Sequence, residues 1–114
     1  MLSPSQQQLK CLLEHYETGR YDDAEKLAVA ITHEFSEHPF GWKVLGAVLN
    51  QTGRKSEAVQ IMQKVVALTP QDPDSHYNLG IALKAIGRLN EAESSYKQAI
   101  ALKIDFAEAQ NNLG

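Results

Sequence analysis

Three stretches of this chain carry side chains of the types that do chemistry, at spacings close to known arrangements. Residues 32–38, THEFSEH, set a glutamate between His33 and His38, and zinc proteases use two histidines four apart on one helix face with a glutamate between them. Here the histidines are five apart, which on a helix turns the second imidazole by about 500° and leaves the pair about 140° apart. A shared zinc does not fit. Cys11 and His15 do have the four-residue spacing, but no second pair of ligands follows, so packing is the expected role of both. Residues 52–56, TGRKS, match the end of a phosphate-binding loop, yet six residues instead of four separate Gly46 from Gly53 and no strand precedes them. No nucleophile, base and orienting acid form a recognisable set among the Asp, Glu, Ser and His residues. The expectation is therefore a protein without catalytic residues, metal or cofactor, and not an enzyme.

Composition narrows the class further. A chain of 114 residues, 43% of them hydrophobic, makes one domain with a modest core. Its formal charge is −3, and the 11 basic residues are scattered from Lys10 to Lys103 without a cluster. That argues against a nucleic-acid partner, which needs a basic footprint. The longest apolar run, residues 27–31, is far shorter than the roughly 20 residues of a membrane span, so no membrane partner is expected. The start, MLSPSQQQLK, has no apolar signal core, and the single Cys11 has no disulfide partner. A reducing compartment, the cytoplasm, is expected.

The elements that would carry any site emerge from internal repetition. TGRYDDA at 18–24, TGRKSEA at 52–58 and IGRLNEA at 86–92 return every 34 residues, and Leu-Gly returns at 45, 79 and 113. Within one period, Trp42, Leu45, Gly46 and Leu49 fall on one stripe of a helix, helix A. Ala58, Met62 and Val65 do the same after Gly53, a residue able to close a helix in the left-handed conformation. This is helix B. So short a connection makes the two helices antiparallel neighbours, with Gly46 and Ala58 small where their axes approach.

With these residues in place the chain resembles the tetratricopeptide repeat (TPR) family, whose pattern is met in the second unit by Trp42, Leu45, Gly46, Leu49, Ala58, Met62 and Pro70. The third unit has His76, Leu79, Gly80, Leu83, Ala92 and Tyr96, with Ile104 in place of the proline. The first keeps Gly19, Tyr21 and Ala24, but Gln8, Cys11, Leu12 and His15 occupy the helix A positions. The resemblance implies an all-α fold, a superhelical solenoid of antiparallel helix pairs. Repeat 1 is expected at 5–38 as a divergent cap, repeat 2 at 39–72, repeat 3 at 73–106 and a partial repeat 4 at 107–114. Gln6, Gln7, Gln8, His15 and Glu34 suit a solvated first unit, and Ser3, Pro4 and Gln6 are expected to cap its first helix. Because the fourth unit is only begun, the chain is expected to be the front piece of a longer protein.

The resemblance also implies where ligands go. In such arrays the A helices line the concave side, which here places Phe40, Lys43, Ala47, Asn50 and Gln51 of unit two on the inner wall. Unit three contributes Asp74, Tyr77, Asn78, Ile81 and Lys84, unit four Glu108, Asn111 and Asn112, and unit one Leu13, Tyr16 and Glu17. Mixed apolar, amide and charged groups suit a peptide better than a small polar metabolite. Asn78 and Asn112, one period apart, are expected to pair with a peptide backbone through their side-chain amides. The expected function is a scaffold holding a peptide or partner-protein segment in the groove. The alternative is the substrate-recruiting arm of a larger enzyme, as in glycosyltransferases that carry TPR arms. Self-association through the incomplete last unit is a further expectation.

Overall fold

The computed structural model describes residues 3–113, with side chains as far as Ile104. It contains helices α1 (Gln6–Glu17), α2 (Tyr21–Glu34), α3 (Pro39–Gln51), α4 (Lys55–Leu68), α5 (Pro73–Ala85) and α6 (Leu89–Leu113). No strand occurs among the described residues. Three hairpins result, α1/α2, α3/α4 and α5/α6, and each packs on the next through α2 with α3 and α4 with α5. The architecture is an all-α helical repeat superhelix.

Each hairpin turns by the same backbone device. Gly19, Gly53 and Gly87 take φ of 77°, 82° and 82°, a region costly for any residue with a Cβ. The following arginine N–H then reaches back to the helix, Arg20 to His15 O at 2.9 Å, Arg54 to Leu49 O at 2.9 Å and Arg88 to Leu83 O at 3.0 Å. Together with the glycine N–H bonds to Tyr16, Asn50 and Lys84 carbonyls, this is the Schellman closure of a helix end. The recurring Gly-Arg is thus a turn signal.

Close approach within a hairpin has its own requirement. A Cβ on Gly46 would stand 2.6 Å from Met62 Cε, and one on Gly80 2.7 Å from the Tyr96 ring. The Leu-Gly dipeptide therefore sets a buried leucine beside a notch that receives the long side chain of helix B. Leu12, Ile31, Val48 and Leu49 centre the first core cluster, and Val59, Val65, Leu79 and Leu83 the second. Trp42 borders both clusters. Its indole N–H donates to Ser36 O at 2.9 Å, and Lys64 Nζ lies 5.7 Å from the ring centroid.

Two local expectations are corrected. The first helix is capped by Ser5, not by Ser3: Ser5 Oγ accepts from Gln8 N at 3.1 Å while Gln8 Oε1 accepts from Ser5 N at 2.8 Å. Ser-x-x-Gln occurs in two overlapping registers, and the later one leaves Pro4 buried ahead of the cap. His33 and His38 do not share a helix, because α2 ends at Glu34 and His38 caps α3, its Nδ1 accepting from Phe40 N at 3.3 Å. At the far end, no break marks the expected boundary between residues 106 and 107, since α6 runs through it.

Candidate functional site

The corner between α4 and α5 builds one end of the inner wall. Asp72 is the N-cap of α5, its Oδ1 accepting from Asp74 N at 3.0 Å, with Pro73 in the first turn where a missing N–H costs nothing. Thr69 Oγ1 donates to Val65 O at 2.7 Å and lies 2.7 Å from the Ser75 hydroxyl, whose one proton serves either Thr69 Oγ1 or Asp72 Oδ2 at 3.3 Å. From α3, Lys43 Nζ reaches Asp72 Oδ2 at 3.2 Å, tying the second A helix to the third. Partial burial works to raise the Asp72 carboxyl. Hydrogen bonds from Lys43, the Asp74 N–H and Ser75, with the Lys43 charge, outweigh it and hold the group below its ordinary value.

Beyond this corner lies a cavity of about 430 Å³. Tyr16 of α1 borders it at one side, Lys43, Ala47, Asn50 and Gln51 of α3 form the middle wall, and Asp74, Asn78 and Ile81 of α5 the other. Ala58, Met62 and Val65 of α4 close the floor. The A helices thus share one concave face, and a segment laid across it would meet apolar Ala47 and Ile81 beside three side-chain amides. One of these amides is notable. Asn50 Oδ1 is buried and has no hydrogen-bond partner among the described residues, a condition that folded proteins rarely leave standing.

Of the residues expected on the inner wall, Lys43, Ala47, Asn50, Gln51, Asp74, Asn78, Ile81 and Tyr16 come together around this cavity. Phe40 does not; its ring packs against the first core cluster, because the α3 start turns it toward the hydrophobic seam. Tyr77 lines a separate, shallow depression with Tyr96, Ile100 and Lys103, its ring centroid 5.6 Å from that of Tyr96. Lys84 is exposed outside the cavity, as are Leu13 and Glu17. The side chains of Glu108, Asn111 and Asn112 lie outside the described residues, so the partner of Asn78 in the expected amide pair does too. Sequence reasoning missed Asp72 and Ser75. The signal was present, since His38-Pro39 and Asp72-Pro73 both place a cap and a first-turn proline before an A helix.

Among the described residues, no group of three or more His, Cys, Asp or Glu could hold a metal ion. None of the helices there is long and apolar enough to cross a membrane.

Comparison with known proteins bears on the fold. Residues 46–87 match the family model described as TPR repeat and residues 73–106 the one described as tetratricopeptide repeat, so together they span more than half of the chain. No curated protein matches it. Among solved structures, the Yersinia enterocolitica type III secretion translocator chaperone SycD, in its alternative dimer, is similar with a TM-score of 0.81 and 24% identity over 93% of this chain and 83% of that one. SycD in complex with a peptide of the translocator YopD gives a TM-score of 0.82 at 24% identity, with the same coverage. MamA MSR-1 follows at 0.77 and 23%, over 82% of this chain and 54% of that one.

Proposed function

This chain belongs to the tetratricopeptide-repeat family, and from that premise we propose that its concave cavity seats a segment of a partner protein, extended or helical. Serving as a protein-interaction scaffold is the function that the family and the fold support. The observation that carries the groove assignment is the single cavity shared by α1, α3 and α5, in which amide groups of Asn50, Gln51 and Asn78 stand beside apolar Ala47 and Ile81. Such a lining offers backbone hydrogen bonding and side-chain burial to the same peptide. SycD, which shares the fold, has been crystallised with a peptide.

Under this proposal Asn78 pairs its amide with a peptide backbone, and each such bond contributes about 1 kcal/mol. The decisive test fills the groove. Ala47→Trp should abolish capture of a peptide ligand while leaving helicity intact, and retained capture would end the groove assignment.

A second proposal, self-association, is favoured by apolar exposure on the α5/α6 face, where Tyr77 is 50% and Ile100 58% exposed. The equivalent face on α4 is covered by α5 through Ser75, Ala82 and Leu83. Two periods away, α1 offers Gln7, Glu14 and His15 at those positions, a polar surface unsuited to the same seat. Two copies would therefore join face to face rather than head to tail. Sedimentation that stays monomeric up to high concentration would count against any such dimer.

A further inference from the structure

The charges on the cavity wall do not balance, and this bears on what a partner segment must bring. Lys43 is the one cation among the described lining residues. Its Nζ is engaged by Asp72 Oδ2 at 3.2 Å, and Asp72 also accepts from Asp74 N at 3.0 Å. That carboxylate is satisfied by the protein. Asp74 is exposed at the rim, and its carboxylate receives neither a hydrogen bond nor an ion pair from any described residue. The unmatched charge of the groove is thus negative, and it sits where a segment entering over α5 would pass.

We propose that the groove takes a partner-protein segment bearing an arginine or lysine side chain, which pairs with Asp74. This inference rests on the groove being the seat of a partner segment. Charge complementarity selects the occupant: an acidic segment would face Asp74 with its only counter-charge, Lys43, already held by Asp72.

The test is a selection of random dodecapeptides displayed on phage against the full chain, followed by affinity measurements on enriched peptides. Enriched peptides should carry a basic residue, and Asp74→Asn should weaken them about tenfold. Replacing the basic residue by methionine should give the same loss, with little added effect in the Asp74→Asn background. Raising the salt concentration should weaken the wild-type complex more than the Asp74→Asn complex. Enriched peptides without a basic residue, or an unchanged affinity with Asp74→Asn, would overturn the proposal.

Ala47→Trp separates this failure from that of the groove itself. Loss of binding in Ala47→Trp with none in Asp74→Asn leaves the groove standing and removes the basic partner. Undiminished binding in Ala47→Trp removes both, as does a selection that yields no binder. Should Ala47→Trp unfold, shifts of the Asn50 and Asn78 side-chain amide signals on peptide addition report groove occupancy in the wild-type chain.

Discussion

The end of α4 at Leu68 and the equivalent point of α6 at Leu102, one period later, behave in opposite ways. At the end of α4, the Thr69 hydroxyl takes the Val65 carbonyl, Pro70 follows, and Asp72 with Pro73 starts the next helix. One period later the same positions are Lys103, Ile104, Phe106 and Ala107, and the helix runs on to Leu113. None of these four residues opposes helix continuation; lysine and alanine are good helix formers. Helix termination in this molecule is thus the work of a few stop and start residues, while the apolar pattern sets only which faces meet.

Breaking the α4–α5 side of this comparison should have the largest effect. Leu83 is 3% exposed in the second core cluster, and Leu83→Ala should cost about 2–5 kcal/mol, read as a lowered urea midpoint. Supplying the missing stop is next. Ile104→Pro places an imino acid inside α6, where about 3 kcal/mol opposes the helical state. Circular dichroism should show lost helicity, and amide exchange should rise beyond residue 104 while the core clusters keep their protection.

Removing a start signal should matter less. Asp72→Ala deletes a cap worth about 1 kcal/mol together with the tie to Lys43. Because the folded-state carboxyl is held below its ordinary 3.8, its contribution is present above that value and is lost as pH falls through the lower folded one. Asp72→Asn should accordingly flatten the acid side of a stability profile. The smallest change is expected at the B-helix starts. Arg54 bridges Glu57 and, across the hairpins, Glu25, each at 2.7 Å, whereas Arg88, just ahead of α6, pairs among the described residues only with Glu91. Both are solvated pairs, so Arg54→Met should shift the midpoint slightly and Arg88→Met less, in parallel denaturation curves.

How much was legible in the sequence follows the same division. The hairpins could be read because Gly19, Gly53 and Gly87 encode their turns locally, and the seams because small and large residues alternate with helical spacing. The register of the first cap could not, since Ser3 and Ser5 both stand three residues before a glutamine and only the placement of Pro4 separates them. Phe40 and Tyr77 were assigned to the groove by helical position alone. Side chains that large lean toward whatever apolar surface is nearest, the first core cluster for one and the Tyr96 ring for the other. The Lys43–Asp72 pair spans 29 residues, a contact that only the stacking of two hairpins creates. Asn50 gave no sign of its unsatisfied oxygen, because burial of a single atom depends on the whole wall around it.

The packing order of the helices has a consequence for how such a protein comes into being. Apart from the contact of α1 with α3, helices that pack extensively follow one another directly along the backbone. The entropy of closing each contact is correspondingly low. A ribosome releasing this polypeptide could see each pair of helices condense as it emerges and lean on its predecessor, so that the binding wall is laid down in the order of synthesis.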